Sequence, residues 1–178
     1  ILLKEGKMST RQGNVVLLSD FIDEAISRAA EKVEAQCADL PPEERRAIAE
    51  RVAVAAVRFA ILRVGLTKNV LFEWESSLSF SRDTGPYVQY SCARINSMLR
   101  KHGEVAPISD DVFPVETDAE WALVAQLLSF PETVAACARQ RQVAPIAQFA
   151  LDTARAFTTF YHDCPVLNAE DTALRDAR

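Results

Sequence analysis

Glycine and histidine are scarce in this sequence, whose 178 residues include 5 glycines and 2 histidines. Short strands need a turn every few residues and turns use glycine, so the low glycine count argues against an all-β fold. His102 and His162 stand far apart, without a neighbouring cysteine pair or an Asp-His-Ser grouping. The sequence therefore predicts no metal site and no nucleophilic catalytic centre.

The sequence also lacks an excess of basic residues. Lysine and arginine number 20 against 25 acidic residues, which gives a net charge of -5 and a pI of about 5.1. Such a chain has no overall positive field to attract duplex nucleic acid. We therefore expect no DNA partner, and any contact with nucleic acid should be local.

Cysteine pairs and long apolar runs are missing as well. The four cysteines lie far apart without a C-x-x-C motif, a pattern typical of reduced thiols in a cytoplasmic protein. No uncharged apolar run has membrane-spanning length, and residues 1–7 do not resemble a secretory signal, so no membrane partner is predicted. Because residue 1 is isoleucine, we expect the chain to begin inside a longer protein or to be processed.

Alanine, leucine, glutamate and arginine are abundant, and apolar residues recur at helical spacing, which predicts an all-α helical bundle. The predicted helices begin near Ser19, Pro42, Thr84, Asp118, Pro131, Val143 and Asp171. The helix from Thr84 follows a predicted loop over residues 72–83 and is expected to end at about His102-Gly103. Several large residues on the predicted helices are expected to be buried: Ile61, Trp121, Leu123, Val124, Leu127, Leu128, Ile146, Phe149, Phe157 and Phe160.

The helix that begins with Thr84-Gly85-Pro86 has two faces in a helical projection. Val88, Cys92, Ile95 and Leu99 form an apolar face that is expected to pack into the bundle. The opposite face is expected to be exposed and carries Tyr87, Tyr90, Arg94, Ser97 and Met98. Tyrosine and arginine together suit unstacked RNA bases and their phosphates, although packing against a neighbouring helix is the alternative.

Three motifs follow one another along the chain: Lys7-Met8-Ser9-Thr10-Arg11 near the start, Thr84-Gly85-Pro86-Tyr87 in the middle, and Asp171-Thr172-Ala173-Leu174-Arg175 near the end. The first resembles the K-M-S-K-S loop of class I aminoacyl-tRNA synthetases, with Thr10 in place of the second lysine. The second resembles the T-G-x-Y-x-Q-Y stretch of arginyl-tRNA synthetases. The third is similar to the signature of DALR anticodon-binding domains, interrupted by Thr172.

This resemblance covers almost the whole chain and implies a domain order. Residues 1–20 would be the K-M-S loop at the end of a catalytic domain, residues 21–83 connecting helices, and residues 84–178 the anticodon-binding bundle. It also implies that Lys7, Ser9 and Arg11 contact the phosphates of ATP, and that Mg²⁺ accompanies ATP without a metal site in this segment. Tyr87, Tyr90, Arg94 and Tyr161 would bind RNA.

The function implied is ligation of arginine to tRNA(Arg), with ATP and arginine bound by a catalytic domain that this chain mostly lacks. No H-I-G-H signature or Rossmann phosphate turn is present in the sequence. By itself the chain is therefore expected to be inactive. The alternative is a free-standing, non-catalytic tRNA-binding module derived from a synthetase.

Overall fold

The structure is a computed structural model that describes the backbone of residues 2–3 and 6–7 and the whole of residues 17–81, 83–103, 115–169 and 171–178. Within these residues it contains eight α-helices and three two-residue strands. The predicted all-α class is therefore confirmed.

Two long helices form the first layer. Helix α1, Leu18–Gln36, packs along helix α2, Pro42–Leu62. Pro42 occupies the first turn of α2, where its missing N–H is harmless, as predicted. The inner face of α1 is buried, whereas Ile61 near the end of α2 is 39% exposed, contrary to expectation. The resulting core contains Phe21, Ala25, Ala29, Val33, Ala49, Val52, Ala53, Ala56 and Val57.

A small sheet and an aromatic cluster lie against this first layer. Strand β1, Leu2–Leu3, pairs antiparallel with β2, Gly6–Lys7, and parallel with β3, Leu71–Phe72. The rings of Phe72 and Trp74 each lie 4.9 Å from the ring of Phe21. Helix α3, Trp74–Ser77, follows directly. The cluster fixes the segment before α4, which was predicted to be a loop.

Helix α4, Gly85–His102, begins and ends where the sequence predicted. The Thr84 side chain accepts a hydrogen bond from the Tyr87 N–H at 3.1 Å and so caps the first turn. Gly103 ends the helix with φ 90°, a backbone conformation that favours glycine. Gly85 lies directly against the Ala55 carbonyl of α2, which brings the two helices into close contact.

Four further helices complete the bundle: α5, Asp118–Leu128; α6, Phe130–Gln140; α7, Ala144–Asp163; and α8, Thr172–Ala177. Helix α7 is the central one, because α4, α5 and α6 all pack on it. Asp171 caps α8 by accepting a hydrogen bond from the Ala173 N–H at 2.8 Å, as predicted.

The predicted interior was partly wrong for α5 and α7. Trp121, Leu127 and Leu128 are 60%, 51% and 71% exposed, and α5 instead buries Ala119 and Glu120. On α7, Phe157 and Phe160 are buried as expected, but Ile146 is exposed. The face of α5 that packs on α7 carries Ala119, Leu123 and Gln126. Trp121, Leu127 and Leu128 lie away from that face and remain exposed.

The segment Asp118–Gln140 has the length and composition of a membrane-spanning helix, with a mean hydropathy of 1.3. It consists of α5 and α6, which meet at Ser129, and it contains Glu120 in an ion pair with Arg178. Length and composition alone are weak evidence for a membrane span. Both helices pack on α7, so the segment belongs to the bundle.

Candidate nucleic-acid interface

Helices α4 and α7 lie side by side and run in the same direction. Their contacts advance together along both helices, from Asp83 with Arg155, through Tyr87 with Thr158, to Arg94 with Tyr161. Residues far apart in the sequence therefore meet in pairs along one seam of the bundle.

Three of the residues predicted to bind RNA meet at this seam, and we call them the Tyr–Arg–Tyr cluster: Tyr90, Arg94 and Tyr161. The guanidinium carbon of Arg94 lies 4.9 Å from the ring centroid of Tyr90 and 4.6 Å from that of Tyr161. Arg94 Nη2 also donates a hydrogen bond to the Tyr90 hydroxyl at 3.0 Å. The cation is therefore held between two aromatic rings.

The cluster is open to solvent on one side. Tyr90 is 47% exposed and Tyr161 is 38% exposed, while Arg94 is half-buried. On its inner side the Tyr161 ring lies 6.0 Å from the buried ring of Phe157. Exposed aromatic faces beside a cation can stack on bases and attract a phosphate.

Tyr87 differs from the other two tyrosines because it joins the helices. Its side chain is half-buried, and its hydroxyl lies 2.9 Å from Thr158 Oγ1 and 3.4 Å from the Ala154 carbonyl oxygen. Thr158 in turn donates to that same carbonyl at 2.8 Å. A hydroxyl engaged in this way favours a role in packing, which is the alternative that the sequence left open for the tyrosines.

The prediction for the two faces of α4 was partly wrong, although Tyr90 is exposed as expected. Cys92, Ile95 and Leu99, which were expected to be buried, are exposed. The face with Tyr87, Ser91 and Met98 packs on α7 instead. The reason is that a projection of one helix shows which residues share a face but not which face meets a neighbour.

The other predicted site residues lie near the start of the chain. Lys7 belongs to strand β2, and its side chain lies outside the described residues. Ser9 and Arg11 lie outside the described residues too. Their proposed contact with ATP therefore stays a prediction.

His102 lies at the end of α4 but is not solvated. Its side chain is only 14% exposed, and Nε2 lies 3.5 Å from Asp176 Oδ1 on α8. This contact holds α8 beside the end of α4. In the part of the chain that the structure describes, no group of three or more histidine, cysteine or acidic residues could bind a metal ion.

Two family models match the chain. The DALR anticodon binding domain matches residues 88–178, and the catalytic domain of the class I arginine tRNA synthetases matches residues 1–74. The first match contains the whole Tyr–Arg–Tyr cluster. The second contains the Lys7 to Arg11 segment.

Curated relatives match the chain over its full length. It is 43% identical to the arginine–tRNA ligase of Methanopyrus kandleri, with 100% of this chain and 30% of that protein aligned. It is 38% identical to the arginine–tRNA ligase of Erwinia tasmaniensis, with 100% of this chain and 31% of that protein aligned. The chain therefore spans about 30% of the length of the curated relatives it matches.

Solved structures share the fold. The arginyl-tRNA synthetase of Thermus thermophilus superposes with a TM-score of 0.87 at 36% identity, over 99% of this chain and 30% of that one. The arginyl-tRNA synthetase of Plasmodium falciparum gives a TM-score of 0.76 at 26% identity, over 92% of this chain and 30% of that one. Family models, sequence relatives and fold agree, and the chain belongs to the arginyl-tRNA synthetase family.

Proposed function

We propose that the protein acts in ligation of arginine to tRNA(Arg), a reaction that consumes ATP and passes through arginyl-adenylate. Membership of the arginyl-tRNA synthetase family supports this proposal. Because the chain spans about 30% of its relatives, it would contribute only some of the steps. A cytoplasmic location would suit this role in translation.

The observation that carries the proposal is the exposed Tyr–Arg–Tyr cluster within the region that matches an anticodon binding domain. Bases in a single-stranded RNA loop can be splayed out and stacked on aromatic rings, and an arginine beside the rings attracts the neighbouring phosphate. We infer that this cluster contacts the anticodon loop of tRNA(Arg). Such a local contact is compatible with a net charge of -5.

We also propose the division of labour along the chain. Residues 1–20 would carry the loop that closes over ATP, and residues 84–178 would hold the tRNA. Residues 21–83 would form the helices that connect these two parts. Lys7, Ser9 and Arg11 would stabilise the negative charge that develops on pyrophosphate when it leaves. Mg²⁺ would arrive with ATP.

Loss of either exposed tyrosine is expected to weaken tRNA binding. Tyr90→Ala and Tyr161→Ala should each cost about 1–3 kcal/mol of binding free energy through one lost stacking contact. Fluorescence anisotropy with a labelled tRNA(Arg) transcript measures the effect. Trp121→Ala is the matched control, because Trp121 is an exposed aromatic residue, at 60%, on a different helix.

In that experiment, unchanged affinity of both tyrosine variants would contradict the proposed interface. An equal loss for Trp121→Ala would show that exposed aromatic residues in general, not this cluster, bind the RNA. Thermal melts of all three variants separate binding effects from unfolding.

The chain alone is expected not to exchange pyrophosphate into ATP in the presence of arginine. Its match to the catalytic domain is confined to residues 1–74, and the H-I-G-H signature is missing from the sequence. Arginine-dependent exchange by the 178-residue chain would contradict this prediction. Binding of tRNA without exchange is also what a free-standing RNA-binding module would give, so the polypeptide in its natural length is the decisive sample.

A further inference from the structure

The Tyr–Arg–Tyr cluster depends on how far α7 is shifted along α4. Tyr90 and Arg94 belong to α4, whereas Tyr161 belongs to α7. A slip of one helical turn moves a residue by about 5.4 Å along the axis, more than the 4.6 Å that separates the Arg94 guanidinium from the Tyr161 ring. The cluster therefore exists at only one register of the two helices.

Apolar packing is a weak determinant of that register in the part of the seam before Arg94, whereas Met98, beyond it, packs against the buried group that contains Phe157 and Phe160. The α4 residue at the middle of the seam is Ser91, which is buried and donates its hydroxyl to the Tyr87 carbonyl of its own helix at 3.1 Å. On α7, Ala154, whose carbonyl oxygen lies 3.4 Å from the Tyr87 hydroxyl, is also buried. Small side chains form shallow ridges and grooves, so packing in this part of the seam discriminates only weakly between neighbouring registers.

Two polar contacts discriminate between registers, and we call them the register contacts. The first is the ion pair between Asp83 and Arg155, in which Nε donates to Oδ1 at 3.2 Å and Nη2 donates to Oδ2. The second joins the hydroxyls of Tyr87 and Thr158 at 2.9 Å. Both are directional and are lost when the helices slip by a turn.

Asp83 is held in place just before the start of α4. Asp83 directly precedes the capping residue Thr84, and its carbonyl oxygen accepts a hydrogen bond from Arg63 Nη1 at 2.7 Å. Arg155 Nη1 also donates to Asp152 one turn earlier on α7, at 2.9 Å. The hydrogen bonds from Arg155 to Asp83 raise the pKa of Arg155, although partial burial lowers it. The Arg155 side chain is thus held by two carboxylates, one before α4 and one on α7.

We propose that Asp83, Arg155, Tyr87 and Thr158 are positioning residues for RNA recognition: they set the register of α4 and α7 that places Tyr161 against Arg94. This inference rests on the proposed function of the cluster. The residues act through Tyr161 and need not touch the RNA. Because Asp83 and Arg155 are each 46% exposed, their pair adds little to stability, and variants should stay folded.

Asp83→Asn tests the proposal because positioning and simple electrostatics predict opposite results. Removing a negative charge near a bound RNA should strengthen binding if only charge matters. Loss of the register contact should instead weaken binding of a tRNA(Arg) transcript about three- to tenfold, in the range of measured couplings between residues of one network. Glu132→Gln, which removes an acidic partner from the exposed pair with Arg139, is the matched control.

A double-mutant cycle with Tyr161→Ala separates positioning from unfolding. If Asp83 acts through Tyr161, then Asp83→Asn should change affinity by less than about twofold once Tyr161 is alanine. The same loss in both backgrounds, or tighter binding by Asp83→Asn alone, would overturn the proposal while leaving the interface standing. If Tyr90→Ala and Tyr161→Ala themselves bind normally, the interface is wrong and the positioning role falls with it.

Discussion

Glu120→Ala is expected to lower the free energy of unfolding by about 3–5 kcal/mol, because it leaves a buried arginine without its partner. The Glu120 side chain is 1% exposed and that of Arg178 is 7% exposed. Arg178 Nε donates to Glu120 Oε1 at 2.6 Å, and Nη1 donates to the Pro165 carbonyl oxygen at 3.0 Å. A charge in such a place cannot regain water without local unfolding.

Glu120 also takes part in the N-terminal capping of α5. Its Oε2 accepts hydrogen bonds from the backbone N–H groups of Glu116 and Thr117, both at 2.8 Å. Thr117 returns the contact, since its hydroxyl accepts from the Glu120 N–H at 3.2 Å. This capping box contributes to the expected loss, typically about 1 kcal/mol.

Chemical denaturation measures the effect, and Glu132→Ala serves as its control. Glu132 is paired with Arg139 at 2.5 Å, but its side chain is 76% exposed, so its loss should cost less than about 0.5 kcal/mol. Equal denaturation midpoints for Glu120→Ala and Glu132→Ala would contradict the prediction that the buried ion pair contributes more to stability than the exposed one.

The same carboxylate should make stability depend on pH. Burial raises the pKa of Glu120, but hydrogen bonds from Glu116, Arg178 and Thr117 together lower it below its usual value. A lowered pKa in the folded state stabilises the protein fully above the unfolded pKa, and this contribution is lost as the pH falls through the folded pKa. Glu120→Gln should therefore flatten the acid limb of the stability curve; an unchanged limb would contradict this assignment.

Gly85→Ala is expected to destabilise the protein by about 3 kcal/mol, the upper range for overpacking. An added Cβ would lie 2.6 Å from the Ala55 carbonyl oxygen and 2.9 Å from the Phe59 Cβ. Backbone atoms of α2 cannot rotate away as a flexible side chain can, so α4 would have to move. The gain in helix propensity from alanine, about 1 kcal/mol, is too small to compensate.

Gly65→Ala is the control for this substitution, because no atom lies within 4 Å of a Cβ built at Gly65. Thermal unfolding followed by circular dichroism compares the two variants. A melting temperature for Gly85→Ala equal to that of the parent would show that the two helices are not in close contact. A shifted α4 should also weaken tRNA binding, since Tyr90 and Arg94 belong to it.

In α4 the ends of the helix could be predicted from the sequence, but the face that packs could not. Its start at Thr84 and its end at Gly103 were predicted correctly, because capping depends on residues adjacent in the chain. The face that packs was predicted wrongly. The apolar residues Ile95 and Leu99 outweighed Ser91 in the pattern, yet Ser91 is the buried one. Sequence periodicity measures hydrophobicity, whereas the choice of face depends on the shape and polarity of the neighbouring helix.

Some residues of the candidate site could be predicted from the sequence and others could not. Tyr90, Arg94 and Tyr161 could be selected from the sequence, because the resemblance to a family marks them. No motif marked Arg155 and Thr158. Their partners, Asp83 and Tyr87, lie 72 and 71 positions earlier in the chain. No local pattern connects residues at that separation.

By itself the sequence determined the helical class, the helix ends, the scarcity of chemistry-bearing histidines and the kinship of the chain, since all of these depend on composition, on neighbours a few residues apart or on motifs. The tertiary structure decided which tyrosines are exposed, that Tyr87 joins two helices, and that Arg94 lies between Tyr90 and Tyr161. The physical reason is that exposure and pairing depend on which helices pack together and at what register.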